Sequence, residues 1–203
     1  MVVADIIRLN DEYEIVGFLD DVNPERHNSE LYGAKILGGQ ERLDSLRHEG
    51  VRHLIFGFGH CAARLRLSDL ARAQGFSLLT AIHPKAIVAT DTLIGAGTVV
   101  AAGAVINPGS SIGEDVIVNT SASVDHECFV DDGAHVGPGV RLAGRVAVER
   151  AAWIGVGAIV IEGVRIGANS LIGAGAVVVT DIPEGVVAYG NPARVVRKAE
   201  AVD

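Results

Sequence analysis

From Val88 to Val178, every sixth residue is a branched aliphatic, and this spacing limits the possible folds more than any other feature of the chain. The series is Val88, Ile94, Val100, Ile106, Ile112, Val118, Val124, Val130, Val136, Leu142, Val148, Ile154, Val160, Ile166, Ile172 and Val178. An α-helix repeats about every 3.6 residues and a flat strand about every 2, so neither explains a period of six. A parallel β-helix of six-residue turns does. The series therefore predicts a triangular prism with three such turns in each coil.

Two other positions of the repeat have a consistent composition. The residue after the aliphatic is often Gly or Asn, as at Gly95, Asn107, Gly113, Asn119, Gly137, Gly155, Gly167 and Gly173. The residue four positions after it is small, as at Thr98, Ala104, Ser110, Ala122, Ala134, Ala158, Ser170 and Ala176. We interpret the first set as tight corners with positive φ and the second as the lining of a narrow interior.

Residues 1–83 have a different pattern, in which apolar runs alternate with polar, helix-forming segments. The pattern predicts helices over 1–10, 40–48 and 62–74 and strands over 14–19, 34–37, 53–58 and 77–82. This spacing is typical of a small parallel α/β domain. Because Pro84 disfavours helix in the residue before it, we place a boundary there. We expect an α/β domain over 1–83, the β-helix over 84–182 and a C-terminal cap over 183–203.

Composition excludes several classes of protein. With 17 basic and 25 acidic residues the net charge is −8, which argues against sequence-independent nucleic-acid binding. The chain has neither an apolar run of about 18 residues nor a signal peptide, so we expect a cytoplasmic protein without a membrane span. Cys61 and Cys128 have no metal-like spacing and are interpreted as reduced, structural thiols.

Two predicted strand ends in the α/β domain carry residues suited to ligand binding. Ligands of parallel sheets bind at the carboxyl ends of the strands. Asp20 and Asp21 follow the first strand, and a Gly-rich turn over 57–60 follows a later one. Acidic residues there can accept hydrogen bonds from a ribose, but a solvated turn explains them equally. The turn over 57–60 either approaches a ligand or simply joins strand to helix.

The most polar interruption of the repeat is the segment from Asn119 to Glu127. Asp125, His126 and Glu127 follow the inward Val124 and should lie at a corner, facing outward. An accessible imidazole beside a carboxylate suits general-base chemistry near neutral pH, although an ordinary surface cluster would look the same.

His135 follows His126 by nine positions, about half a coil, so a shared cleft would require a neighbouring subunit. Since the repeat holds no third histidine for a zinc site, we predict no metal. Near the C-terminus, Arg194, Arg197 and Lys198 indicate either an anionic ligand or a solvated helix face.

An ordered set of motifs extends the interpretation to a family. The motifs are VVAD (2–5), GFLDD (17–21), AIHP (81–84), NTS (119–121), DHEC (125–128), GVG (155–157), GAG (173–175) and GNPAR (190–194). In these the chain resembles the NeuD/PglD-like sugar acetyltransferases of the left-handed β-helix superfamily over nearly its whole length. The resemblance implies a nucleotide-sugar-binding α/β domain and acetyl-CoA-dependent transfer to the amino group of a nucleotide-linked amino sugar. It also implies a homotrimer with sites between subunits.

The resemblance also implies roles for individual residues. His126 would be the base that takes the proton of the attacking amine, and Glu127 would orient it. Asn119 and His135 would lie near the reacting sugar and the thioester. The pantetheine arm would contact Gly144, Gly155, Val156, Gly173 and Ala174. Arg194 would suit a CoA phosphate, and Asp20 and Asp21 would contact the nucleotide.

One departure from the family and two alternatives bear on the acceptor. In the family, a first strand and a Gly-rich loop precede the helix that opens here at Met1. We therefore expect a nucleotide pocket lacking one wall, an unpaired sheet edge, and an upstream reading frame that encodes the strand. The alternatives are O-acetylation of a sugar such as sialic acid, which needs the same base, and a non-catalytic β-helix scaffold.

Overall fold

The computed structural model describes residues 1–199, and it divides the α/β region into short elements. In chain order these are α1 (Val2–Asn10), β1 (Phe18–Leu19), a 3₁₀ turn (Pro24–Arg26), β2 (Glu30–Leu31), β3 (Ala34–Gly38), a second 3₁₀ turn (Gln40–Arg42), α2 (Leu43–His48), β4 (His53–Leu54), α3 (Cys61–Ala73) and β5 (Ser77–Leu78). Residues 200–203, at the end of the predicted cap, lie outside the described residues. No helix within residues 1–199 combines the length and apolar character needed to span a bilayer.

The α/β strands form two separate sheets rather than the single parallel sheet that the sequence predicts. One has the order β1-β3-β2, with β1 parallel to β3, and the other pairs β4 with β5. A groove of about 650 Å³ lies between them, lined by residues 17–19 on one side and 53–56 on the other. Within residues 1–199, β1 and β4 each have an unpaired edge, one on either side of the groove, as expected.

The hexads fold as two-residue strands separated by turns, on three faces. The first face contains β7 (Ile87–Val88), β10 (Val105–Ile106), β13 (Ser123–Val124), β16 (Arg141–Leu142), β19 (Ile159–Val160) and β22 (Val177–Val178). The second contains β8 (Leu93–Ile94), β11 (Ser111–Ile112), β14 (Phe129–Val130), β17 (Ala147–Val148) and β20 (Arg165–Ile166). The third contains β6 (Ala81–Ile82), β9 (Val99–Val100), β12 (Ile117–Val118), β15 (His135–Val136), β18 (Trp153–Ile154) and β21 (Leu171–Ile172). The predicted fold class, an α/β domain followed by a left-handed β-helix, is confirmed.

Successive coils stack in parallel register with a shift of eighteen residues. Val105 pairs with Ser123, and Ser123 with Arg141. Residues eighteen apart therefore form columns along the prism. The third face begins at β6, which pairs with β9, so Ala81–Ile82 belongs to the prism and not to the predicted α/β strand over 77–82.

The core of the prism is the stack of inward aliphatics. All of the predicted series except Val88 and Ile94 are at most 2% exposed, and these two pack against the same cluster. The small residues four positions after them, such as Ala122 and Ala134, are also buried. Cys61 and Cys128 are buried free thiols, and burial raises the pKa of both.

The interpretation of the glycines that follow the aliphatics was wrong. Positive φ occurs three positions after the aliphatic, for example at Gly97, Gly103 and Glu127, and not at Gly95 or Gly155. A Cβ on Gly95 would lie 2.5 Å from the carbonyl carbon of the next coil's glycine. These glycines are needed because successive coils approach closely at the corner, leaving no room for a side chain.

The tail forms a β-hairpin and not a helix. Strand β23 (Val186–Gly190) extends the third face by pairing in parallel with β21. Strand β24 (Ala193–Lys198) then pairs with β23 in antiparallel orientation. Arg194, Arg197 and Lys198 therefore lie on an edge strand beyond the last coil.

Shortening one inward side chain tests the role of this core. Ile154 is fully buried, so we expect Ile154→Ala to lower the free energy of unfolding by about 2–5 kcal/mol. Ile87, which is 67% exposed on the first face, provides a matched control, and Ile87→Ala should cost less than about 1 kcal/mol. Denaturant unfolding measures both, and equal effects would contradict the assignment of the core.

Candidate active site

The Asp125–Glu127 corner joins β13 on the first face to β14 on the second. Asp125 Oδ1 accepts hydrogen bonds from Asn107 Nδ2 (2.9 Å) and from the His126 backbone N–H (2.8 Å). The Asn107 hydrogen bond, followed by that of His126, lowers the pKa of the Asp125 carboxyl. The Asp125 side chain thus stabilises the corner, which leaves His126 and Glu127 to face outward.

The His126 and Glu127 side chains form an accessible pair. Nδ1 of His126 lies 3.2 Å from Oε2 of Glu127, and the His126 side chain is 47% exposed. Glu127 has φ of 56°, which places it in the left-handed region. The other ring nitrogen, Nε2, lies directly above Gly144, where a Cβ would come within 2.5 Å of it. A carboxylate on Nδ1 leaves Nε2 as the nitrogen that can accept a proton.

His135 lies in a second polar group, on the third face. Its side chain stacks on Trp153 with a centroid distance of 5.0 Å. Asn119 Nδ2 lies 3.1 Å from its Nε2, while Asn119 Oδ1 accepts from the Thr120 backbone N–H at 2.8 Å. Because that bond orients the amide, Nδ2 is the donor and Nε2 of His135 the acceptor. The proton of the neutral ring is therefore on Nδ1.

The surroundings of His135 keep the imidazole neutral. Burial, and then the positive charge of Arg64, lowers its pKa from 6.5 to about 4. Nδ1 is buried without a hydrogen bond of good geometry within residues 1–199, although the nearby Gly59 carbonyl favours protonation weakly. At neutral pH, His135 can accept a hydrogen bond at Nε2 and carries no charge.

The candidate residues of the prism fall on two columns at opposite edges of the first face. Asn119, Gly155 and Gly173 lie where the third face meets the first, with Val156 and Ala174 next to them. His126 and Gly144 lie where the first face meets the second. Within one chain, therefore, His126 is separated from Asn119 by a whole face of the prism. No hydrogen bond or ring contact joins the two columns within the described residues.

The glycines of the first column differ from Gly144 in what covers them. Gly155 and Gly173 are half-buried, and Val156 and Ala174 beside them are exposed, so the backbone at this edge is partly accessible, with the Tyr189 side chain packed close to Gly173. Gly144 is buried beneath the His126 ring. Arg194 is exposed on β24, where Nη1 donates to the Ala193 carbonyl at 2.9 Å.

The two acidic residues after β1 bind to their own loops. Asp20 accepts from the backbone N–H of Val22 and Asn23 and from Asn23 Nδ2, and the Asn23 side chain is the main cause of its lowered pKa. Asp21 Oδ1 accepts from the Gln40 backbone N–H at 2.7 Å. Both residues line the groove between the two small sheets.

A buried polar group next to His135 was missed by sequence reasoning. Arg64 and Ser68 on α3 contact Asp115 of the prism, and all three are at most 1% exposed. Burial lowers the pKa of Arg64 and raises that of Asp115. In the sequence they look like ordinary polar helix and corner residues, and only the packing of α3 on the prism reveals their burial. Within residues 1–199, no group of three or more His, Cys, Asp and Glu is arranged to hold a metal ion.

Comparisons with known proteins agree with this architecture. The PglD N-terminal domain family matches residues 1–70. PerB from Caulobacter crescentus, crystallised with CoA and GDP-perosamine, is 41% identical with a TM-score of 0.91, over 96% of this chain and 90% of that one. The acetyltransferase domain of PglB from Neisseria gonorrhoeae, in complex with acetyl coenzyme A, is 37% identical with a TM-score of 0.90, over 96% and 93%.

A curated relative matches a shorter segment. The Saccharomyces cerevisiae protein YJL218W, named as an acetyltransferase, is 51% identical over 65 residues. That segment is 32% of this chain and 33% of the yeast protein, so the match covers about a third of each.

The neutral, buried His135 should make folding stability depend on pH. The His135 imidazole binds a proton near pH 6.5 in the unfolded chain but only near pH 4 in the folded chain. The stability that its neutral form contributes is therefore complete above pH 6.5 and is lost as the pH falls to about 4. The difference corresponds to about 3 kcal/mol. We expect His135→Gln to reduce the loss of stability between pH 7 and pH 4 by about this amount, as measured by urea unfolding. Parallel stability curves for the two proteins would contradict the prediction.

Proposed function

Because the chain belongs to the NeuD/PglD-like family of sugar acetyltransferases, we propose that it transfers the acetyl group of acetyl-CoA to the amino group of a nucleotide-linked amino sugar. The relatives that bind GDP-perosamine and acetyl-CoA support both substrate classes. Within this chain the proposal depends on the His126–Glu127 pair, whose atoms are 3.2 Å apart on an exposed corner.

The proposed chemistry uses this pair directly. The sugar nitrogen attacks the thioester carbonyl carbon, and Nε2 of His126 takes the proton that the nitrogen must lose. Glu127 accepts from Nδ1–H and stabilises the imidazolium that forms. When the carbon–sulfur bond breaks, the proton passes to the CoA thiolate. The products are the N-acetyl sugar and free CoA thiol, and no oxidant or reductant is consumed.

The open glycine column supports the proposed binding of acetyl-CoA. Gly155 and Gly173, with Val156 and Ala174, would contact the pantetheine arm, because these two glycines carry no side chain of their own and their backbone is partly exposed. Arg194 would bind a phosphate at the end of the prism. His135, as a neutral acceptor hydrogen-bonded to Asn119, fits a position beside the acyl group. A reaction that consumes acetyl-CoA is expected in the cytoplasm.

The nucleotide would bind to the α/β domain. Asp20 is already engaged by its own loop, so its proposed role is to shape the site, whereas Asp21 is free to accept a further hydrogen bond. Both line the end of the groove at the carboxyl end of β1, where ligands of parallel sheets bind.

The separation of the two columns supports a homotrimer as the active form. Asn119 and His126 lie at opposite edges of the first face, so one chain supplies only half of a site. A closed ring of three prisms would bring the His126 edge of one subunit to the Asn119 edge of the next. Exposed apolar side chains on the prism walls, such as Phe129 (48%) and Ile159 (45%), would be covered in such a ring.

An acceptor assay tests the proposed reaction. We expect release of CoA thiol with a nucleotide-linked 4-amino sugar, and loss of about 10²–10⁴-fold in kcat for His126→Ala, because the general base is removed. His48→Ala, which alters an exposed histidine of α2, should leave kcat unchanged. Thiol release only with sialic acid would instead support O-acetylation. No release with any acceptor would support a scaffold.

Mixing subunits tests the shared site. His126→Ala and Asn119→Ala should each be inactive alone, but co-expression should restore about a quarter of the wild-type rate, because random assembly pairs both intact residues at about one site in four. Co-expression of His126→Ala with Glu127→Gln, which alter the same corner, provides the control and should restore nothing. Failure of the first pair to recover activity would contradict a site built from two subunits.

A further inference from the structure

The guanidinium of Arg64 is an almost completely buried charged group that the proposed reaction does not use. The residue is 1% exposed and lies in the first turn of α3. It donates five hydrogen bonds to backbone carbonyls, those of Phe58 (3.2 Å), Gly59 (3.0 Å), Asp115 (2.7 Å), Gly133 (2.8 Å) and Ala134 (3.3 Å). Arginine has five N–H donors in a rigid fork, so every donor has a partner.

These carbonyls belong to two parts of the molecule. Phe58 and Gly59 lie in the glycine loop, residues 57–60, between β4 and α3. The others lie at corners of two successive coils, where the second face meets the third. Arg64 therefore connects the glycine loop to the prism, because one guanidinium donates hydrogen bonds to both. Ser68 and Arg72, one and two turns further along α3, reinforce the contact by binding the carboxylate of Asp115.

The glycine loop packs closely against the His135 side chain. A Cβ on Gly59 would lie 3.1 Å from Cε1 and 3.2 Å from Nδ1 of His135. His135 directly follows Ala134, whose carbonyl is one of the acceptors of Arg64. The imidazole is thus held between a loop and a strand that the same guanidinium binds, with Trp153 stacked on it and Asn119 at Nε2.

We propose that Arg64 is a positioning residue for acetyl transfer, which holds the glycine loop against His135 and so fixes the imidazole beside the acyl group. The inference rests on the proposed function. It links the domain that would bind the nucleotide sugar to the side chain beside the reacting group. The positive charge of Arg64 also helps to keep the His135 imidazole neutral, since it disfavours a second positive charge nearby. Lysine would keep the charge but lose the fork that holds both segments.

Two alanine substitutions in the glycine loop separate positioning from folding. Neither Gly57 nor Gly59 has positive φ, and a Cβ on Gly57 meets nothing within 4 Å. We expect Gly59→Ala to lower kcat about 10- to 100-fold, because a small displacement of a reacting group is costly. It should also move the pKa of His135, followed by NMR, from about 4 toward 6.5. Gly57→Ala should leave the His135 resonances and the melting temperature unchanged.

A matched pair on α3 tests Arg64 itself. Arg64→Lys should lower kcat by at least about 10-fold and shift the His135 resonances, with little change in the KM for acetyl-CoA. Arg66→Lys, which alters an exposed arginine of the same helix, should keep the wild-type kcat. If Arg64→Lys does not fold, the comparison of Gly59→Ala with Gly57→Ala still tests the proposal. Wild-type kcat and unshifted His135 resonances in both Gly59→Ala and any folded Arg64→Lys would overturn the proposal.

The NMR measurement separates this inference from the proposed function. A wild-type protein that acetylates no nucleotide amino sugar would refute the function. In that case the His135 shifts in the Gly59 and Arg64 variants would still report whether the loop holds the imidazole.

Discussion

The structure depends on the parallel stacking of six-residue turns around a column of aliphatic side chains. Each coil takes eighteen residues, so the hydrogen-bonded ladder fixes which residues lie above one another. A slip of one residue would turn the inward aliphatics to solvent, and the burial of nearly the whole series opposes such a slip. The register of every outward residue follows from this constraint.

The rigid columns explain how a scaffold without long loops can position polar groups. His126 is supported from below by Gly144 and oriented by Glu127, while Asn119 orients itself through Thr120 and presents its amide to His135. In each case the partner is one coil away or adjacent in sequence. The proposed site on stacked coils is therefore preorganised by the backbone ladder, and in the proposed trimer its second half would come from another prism.

The α/β region is held to the prism by polar contacts more than by a continuous sheet. Its strands form two small sheets separated by a groove, and apolar contacts of α1 with β6 and β9 are supplemented by the buried contacts of α3. Arg64, Ser68 and Asp115 bring together segments that are about 50 positions apart in the chain. Burying a charged group is costly unless every donor is satisfied, which explains why Arg64 binds five carbonyls.

The sequence by itself determined the prism, the inward residues and the His126–Glu127 corner, because each depends on a local period or on adjacent residues. It did not determine that positive φ falls three positions after the aliphatic. The glycine directly after the aliphatic is required by close contact between successive coils, which the sequence of one hexad does not show. Nor did the sequence indicate that Arg64 is buried or that Gly59 touches His135, since a helix face and a loop look alike until they pack. Tertiary structure decided these features because it brings distant backbone carbonyls and a neutral imidazole within contact distance.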